Sequence, residues 1–382
     1  MQKRFASDEG GVFPEWEEVE FGKLFQRRSE KNGEEFGVDK TISVATMHFK
    51  PEGNKAAEES LPKYRVLRKG DIAYEGNKSK HFKHGRFVLN DIGDGIISPI
   101  FEVLQPVSEL SKEVPEFWKY YINYEPVMGK ILAKCANTGI MMNRLAVKDF
   151  YKQKIKVPCI EEQRKIAAAL AAYDEMIAVK TAKLETWQEC KKRMVKEIFG
   201  RTKRFNDDDG REFPEWEEKT LGEVVSITTG KLNANEMVNG GQFDFYTSGV
   251  DVFKIDKAAF DGPAITVAGN GANVGCLHLA DGKFNAYQRT YVLQDFLACR
   301  EYIYAAIEVT LPNVIKKYKR GSAIPYIVMD MLTDLRIPLP CMEEQQKIGS
   351  FLAEIDKEIQ IEKEFVKTYT EGKKRMMREL MA

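Results

Sequence analysis

The sequence predicts an α+β protein. It has two globular domains, each followed by a long helix, and the two helices pack as an antiparallel coiled coil under an internal pseudo-two-fold repeat. Three observations lead there. Residues 158–200, which open PCIEEQRKIAAAL, return without a gap as residues 340–382, which open PCMEEQQKIGSFL, at a constant offset of 182. Both copies carry an apolar seam that steps by four and three, the signature of a heptad helix. The stretch KRFASDEGGVFPEWEE at 3–18 also returns, as KRFNDDDGREFPEWEE at 203–218, now at an offset of 200.

The change of offset places a net 18 extra residues in the first module, between Gly22 and its helix. The order is therefore globular module 1–157, long helix 158–200, module 201–339 and long helix 340–382. The polar run Asn206–Gly210 is the best exposed turn between the halves.

Within the modules, Leu67–Asn77 resembles Phe260–Asn270, Gly85–Phe87 resembles Gly282–Phe284, and Val103–Gln105 resembles Val292–Gln294. These are short β-rich runs punctuated by Gly and Asn, so hairpins and a curved sheet are expected. Phe117–Tyr124 and Tyr302–Val309 read as a short helix in each copy. Gly139–Val157 and Gly321–Leu339 then lead the chain to its long helix through an extended, proline-marked segment.

The seam of the first helix is Ile166, Leu170, Tyr173, Ile177, Leu184, Trp187, Met194 and Ile198. Its counterpart is Ile348, Leu352, Ile355, Ile359, Val366, Tyr369, Met376 and Leu380. Two seam positions are polar in both copies, Lys180 and Lys191 against Glu362 and Lys373. Each helix opens with Pro and a Glu-Glu pair, which suit its first turn and dipole. Each closes on a basic cluster, Lys191–Arg193 or Lys373–Arg375. A continuous helix of this length spans about 65 Å at 1.5 Å per residue. In an antiparallel pair Lys180 and Glu362 would approach each other near the axis, while Lys191 and Lys373 would lie near the modules and face other molecules.

Charged residues make up 30% of the chain and the formal net charge is +0, so composition alone announces no polyanion partner; a local basic face can still hide in a balanced total. The six cysteines (Cys135, Cys159, Cys190, Cys276, Cys299 and Cys341) form no CxxC pair and no metal-like spacing, which fits a reduced compartment. No run of 18 apolar residues occurs, and MQKRFASDEG carries no signal-peptide pattern. A soluble cytoplasmic protein without a membrane partner is expected.

Several motifs admit two readings. Gly269–Gly275 (GNGANVG) could cradle a phosphate. It lacks the Lys-Ser/Thr of a P-loop, and the alternating strand-like Cys276–Ala280 follows it, so a tight β-turn is the better reading. Lys78, Lys80, His81, Lys83, His84 and Arg86 fall within nine residues with no acidic residue between them. Lys316, Lys317, Lys319 and Arg320 cluster beside Tyr318. Each basic run is either a solvated face or a phosphate contact. Trp16 and Trp216 are flanked by glutamates, which repel phosphate, and read as packing residues. No metal site is expected at His81 and His84, where no Cys or acidic ligand lies nearby. No catalytic constellation convinces: there is no Asp/Asn-Pro-Pro-aromatic tetrapeptide, no Walker lysine and no triad-like histidine.

Taken in order, the PEWEE openings at Phe13–Glu18 and Phe213–Glu218, the two EEQ(R/Q)KI helices and the run AITVAGNGANVGCLHLADGKFNAYQRTYVL at 264–293 resemble the specificity (S) subunit of type I restriction–modification systems. The resemblance covers essentially the whole chain. The first module departs from it at Ile72–His84, where YEGNKSKH stands in place of GNGANVG. The resemblance implies two target-recognition domains, each reading one half of a split, asymmetric site on double-stranded DNA. It implies a helix pair that sets the spacing and docks two modification (methyltransferase) subunits, with restriction subunits joining to complete the nuclease. S-adenosylmethionine, ATP and Mg2+ would then be used by those partners, and this chain would catalyse nothing and hold no cofactor.

Asn side chains suit adenine edges, so Asn270 and Asn273 are candidates there, Arg144 and Arg289 are candidates for guanine, and Asn77 is a further candidate for DNA contact. Lys78, Lys80, Lys83, Arg86, Lys316, Lys317, Lys319 and Arg320 are candidates for phosphates. Two other classes stay open: a coiled-coil scaffold with two protein-binding domains and no DNA role, and a fused catalytic chain, against which the missing cofactor motifs count.

Overall fold

The computed structural model describes residues 4–52, 58–139, 142–318 and 326–381. They divide into two compact units, the residues up to Val179 together with those from Phe365 onward, and Lys180–Glu364. The first long helix is Ile160–Phe199 and the second Met342–Met381, 40 residues each. Each unit thus holds one module, one half of the first helix and one half of the second.

Each module is closed at its base by its own two ends. In the first, Glu17–Glu20 pairs antiparallel with Lys154–Val157, the strand that feeds the helix. In the second, Glu217–Thr220 pairs in the same way with Arg336–Leu339. Between them lies a four-stranded antiparallel sheet. Its strand order is Phe25–Arg27, Glu102–Pro106, Ile72–Glu75, Arg86–Leu89 in one module and Ser226–Thr229, Thr290–Gln294, Ala264–Ala268, Leu277–Ala280 in the other. The registers match, Ile72 opposite Leu104 and Ile265 opposite Leu293.

All five residues of Ala264–Ala268 are buried because the sheet is covered on both faces. Successive side chains point to opposite faces. Ile265, Val267 and Leu293 therefore join the large core with Tyr302, while Ala264 and Val292 join a smaller one with Phe284. In the first module Ile72, Tyr74 and Leu104 face Trp118, and Ala73 and Val103 face Ile42 and Ile97.

The module helices differ from the expected short helix in each copy. The first module has Pro115–Tyr121 and then Glu125–Cys135, with Pro126 in the first turn of the second helix. Proline lacks an N–H and disfavours helical geometry in the residue before it, so the chain stops and restarts there. In the second module one helix runs from Arg300 to Tyr318.

The PEWEE segment and the Glu-Glu pair meet in a lock that is built twice. The Arg4 guanidinium donates to both oxygens of Glu162, at 3.0 and 2.6 Å, and the Trp16 indole N–H donates to Glu162 Oε2 at 3.1 Å. Arg204 donates to Glu344 at 3.3 and 2.9 Å, and Trp216 at 2.8 Å. Each arginine also donates to the carbonyl of the motif proline, Pro14 at 2.5 Å and Pro214 at 2.6 Å. The carboxylates of Glu162 and Glu344 are 1% and 0% exposed. The helix dipole accounts for the first, exposed glutamate of each pair; the second is the buried anchor. Gln163 and Gln345 donate back to the carbonyls of Pro158 and Pro340, and Lys165 and Lys347 pair with Asp8 and Asp208.

In each unit the helix halves run antiparallel, since residue numbers rise along one as they fall along the other. In the first, Ile166 and Leu170 share a core with Leu380 and Met381, and Tyr173 meets Tyr369 edge-on at 6.4 Å between ring centroids. In the second, Ile348, Leu352, Ile355 and Ile359 share a core with Met194 and Ile198, and Leu184 and Trp187 pack against it. Ile177 and Val366, nearer the helix centres, are half-buried.

Lys180 and Glu362 do meet, at 3.2 Å, and Lys183 takes the other oxygen at 2.7 Å. Lys191 and Lys373, expected to face other molecules, do not. Lys191 lies 2.8 Å from Asp356 and 2.6 Å from Glu308, and Lys373 lies 2.5 Å from Asp174. Asp174 and Asp356 are repeat equivalents, so this is one ion pair made once in each direction. A half-buried ammonium without such a partner would lose hydration with nothing in return.

Two expectations follow. Glu344→Ala removes the buried partner of Arg204 and leaves the Trp216 N–H without its acceptor, and should cost about 3–5 kcal/mol, read by guanidinium unfolding; a change under about 1 kcal/mol would show that the lock does not hold the module. The Lys183 and Lys180 ammoniums hold the Glu362 carboxyl below the usual carboxylate range. A carboxyl lowered on folding stabilises the fold above that range and ceases to do so as pH falls through it. Glu362→Gln should therefore flatten the acid side of the stability profile, measured as urea midpoints from neutral pH downward.

Candidate nucleic-acid interface

The basic residues gather at one place in each module, the tip of the hairpin formed by the sheet's inner strand and its neighbour. In the first module Ile72–Glu75 and Arg86–Leu89 are joined by residues 76–85, on which Asn77, Lys78, Lys80 and Lys83 are exposed. Arg86 is different. Its guanidinium donates to the buried Glu75 at 2.7 Å and to the Ala45 carbonyl at 2.6 Å, and it lies over the Phe82 ring. It braces the hairpin base, and its charge is neutralised there. Asn77 also donates to Glu75, at 3.2 Å.

In the second module the hairpin joins Ala264–Ala268 to Leu277–Ala280 through the expected tight turn, with Gly271 and Gly275 at φ +87° and +84°. Asn273 is exposed, while Asn270 is half-buried and accepts from the Ser248 hydroxyl at 2.5 Å. The tip lies against the helix Arg300–Tyr318; a Cβ on Gly275 would come within 2.8 Å of Ile315. The last turn of that helix carries exposed Lys316 and Lys317, and Lys316 lines a groove of about 500 Å3 with Val274 and Gly275. Lys319 and Arg320 lie outside the described residues. Basic runs at unrelated sequence positions thus converge on equivalent hairpin tips, one carried by the hairpin itself and one by its neighbouring helix.

Beside each hairpin is a cleft, and the two clefts correspond. The first, about 990 Å3, is lined by Tyr74, Asn77, Ile100, Glu102, Asn143 and Arg144, among others. The second, about 510 Å3, is lined by Gly269, Gln288, Arg289, Tyr291, Tyr326 and Val328, among others. One wall is the turn that enters the central strand, closed by Phe101 N–H to Ser98 O at 3.2 Å and by Thr290 N–H to Tyr287 O at 2.8 Å. The opposite wall is residues 142–145 or 326–329. It is tied to the hairpin by Asn143 N–H to Gly76 O at 2.8 Å and Ile327 N–H to Gly269 O at 2.7 Å. Glycine is required at this approach: a Cβ on Gly76 would lie 2.0 Å from the Asn143 carbonyl oxygen, and one on Gly269 would lie 2.4 Å from that of Arg289.

Arg144 and Arg289, singled out separately in the sequence, are both exposed in these clefts. Glu102 in the first is neutralised by Arg27 at 2.8 Å and Arg65 at 3.0 Å, which leaves the cleft positive. Arg289 is the charged residue lining the second. Tyr291 there donates to the Ile327 carbonyl at 2.8 Å, and burial pushes its hydroxyl above the usual range, so it stays neutral. The sequence reading missed Ile100, Gln288, Tyr326 and the pair Arg27 and Arg65. The repeated Gly-Asn at 76–77 and 269–270 was the available signal for the cleft; nothing marked the opposite walls, which are distant in sequence. Trp16 and Trp216 sit in the lock and not at the clefts. Among the described residues no group of three or more His, Cys, Asp or Glu could hold a metal ion, and no helix is long and apolar enough to cross a membrane.

Two modules of one design, each with uncommitted donors beside a hairpin, make a bivalent binding protein. The chain belongs to the type I restriction modification DNA specificity domain family, whose model matches it twice, over residues 14–186 and 214–367. It is 38% identical over 146 residues to the EcoDI type I restriction enzyme specificity subunit of Escherichia coli, across 37% of this chain and 32% of that subunit. It is 24% identical over 325 residues to the MjaVIII specificity subunit of Methanocaldococcus jannaschii, across 75% and 73% of the two chains. The crystal structure of a type I restriction–modification S subunit from M. genitalium shares its fold, with a TM-score of 0.70 at 16% identity over 99% of both chains.

Gly76→Ala tests the close approach that shapes the first cleft. It should destabilise the protein by about 1–3 kcal/mol, as overpacking does, seen as a lowered thermal midpoint. An unchanged midpoint would mean that the two walls are free to part.

Proposed function

We propose that this chain chooses the DNA target of a type I restriction–modification complex. Each module reads one half of a two-part site on double-stranded DNA, and the helix pair sets the distance between the halves. One observation carries this reading: the same hairpin and cleft are built twice from different side chains. A protein that bound one feature twice would need the same donors in both places. Different donors on equivalent frames suit two different half-sites, with phosphate contacts positioning each module and base contacts specifying the sequence.

The helices are the docking platform for two modification subunits. Val179 and Ile361 are repeat equivalents, 55% and 37% exposed, and they offer two like apolar points to two identical partners. Restriction subunits join that assembly. The chain itself is a binding subunit in the cytoplasm, and S-adenosylmethionine, ATP and Mg2+ act in the partners.

The test is to co-express the chain with candidate modification subunits and map methylated adenines across a plasmid library. Replacing residues 23–140 with those of a relative of different specificity should change one half of the motif and leave the other half and the spacing intact. An unaltered motif, or no stable complex, would remove DNA reading and leave a protein scaffold.

A further inference from the structure

Among the described residues between the opening and closing strands of the modules, the two cleft arginines are the ones that no carboxylate claims. Between the opening and closing strands of the first module, Arg27, Arg28, Arg65, Arg68 and Arg86 each stand in an ion pair. In the second, Arg300 and Arg336 do so. Among the described residues of that span in each module, Arg144 and Arg289 stand in none. Each therefore presents a full fork of N–H donors, open to a cleft and without an acceptor inside the protein.

The wall facing each arginine carries exposed apolar side chains, beside the ion-paired Glu102 in the first cleft. Across the first cleft from Arg144 is Ile100, 65% exposed, on the entering turn. Across the second from Arg289 are Tyr326 and Val328, 56% and 45% exposed. The arrangement is reversed between the modules, since Arg289 stands on the turn where the first module has Ile100, and Arg144 stands on the wall that carries Tyr326 in the second. A phosphate would be solvated by polar groups on every side. An arginine fork beside an apolar surface fits the major-groove edge of a duplex, where guanine O6 and N7 accept hydrogen bonds and the thymine methyl of an adjoining pair packs on carbon.

We infer that each cleft is a slot for one G·C pair in the major groove, a proposal that rests on the DNA-reading function above. Arg144 in one module and Arg289 in the other donate to guanine O6 and N7. Ile100 and the pair Tyr326 and Val328 pack against the same or the adjoining base. Because the arginine comes from opposite walls, the two half-sites meet their guanine from opposite sides of the slot.

Arg144→Ala and Arg289→Ala, each in the full chain co-expressed with modification subunits, are compared with the unmutated chain by mapping methylation on a plasmid library of random sequence. Arg144→Ala should make one guanine position degenerate in one half-site, with discrimination falling roughly tenfold or more, while the other half stays intact and serves as the folding control. Arg289→Ala should do the converse. Arg144→Gln should shift the same position towards adenine, whose N6 and N7 glutamine matches. An unchanged motif overturns the proposal. So does a uniform loss of methylation at every site with the motif intact, the mark of a phosphate contact. If the unmutated chain yields a two-part motif, such a failure concerns the arginines alone; if it yields none, the DNA-reading function itself falls.

Discussion

A buried carboxylate at the start of each long helix is the constraint on which the rest of the molecule depends. Stripping water from Glu162 or Glu344 costs several kcal/mol, and only a well-placed cation with further donors offsets it. The arginine fork and the indole N–H supply them. Those donors lie near the start of each module, and the carboxylate lies just beyond its end. Each module is thereby a loop whose two ends are fastened to one point, reinforced by the pairing of its first and last strands. Its interior can then change length, as the net 18-residue difference between the copies shows, without moving the point where it joins the helix.

The same economy governs the helices. Apolar seam residues bury the ends of the pair in the module cores, and buried or half-buried charges organise the rest. Asp174 with Lys373 and Asp356 with Lys191 are a single ion pair repeated by the duplication, and Glu362 holds two lysines near the middle of the sequence repeat. A slipped register would leave the buried Glu362 carboxylate alone, a penalty that works against wrong pairings of the helices.

The proposed recognition elements sit on the part of each module that the closure leaves free. Hairpin tips and cleft walls are surface loops carried on a rigid frame, the usual location for recognition. The frame is the same in both modules, whereas the donors differ: lysines on a hairpin in one, lysines on a helix end in the other, and an arginine from opposite walls of the cleft. The committed arginines brace the frame, as Arg86 does on Glu75.

The sequence by itself determined the duplication, the presence of two long helices, the antiparallel meeting of Lys180 with Glu362, and the hairpin at Gly269–Gly275. All of these are periodic or local signals, which a linear chain records directly. It also marked Arg144 and Arg289, though not that they line corresponding clefts from opposite walls. That was decided only by the tertiary structure, along with the neutralisation of Arg86, the burial of the second helix glutamate and the pinning of Lys191 and Lys373. Each of these depends on which distant side chain stands within hydrogen-bonding reach. Residues that oppose each other across a cleft are set by strand pairing and loop closure, and no spacing along the chain records them.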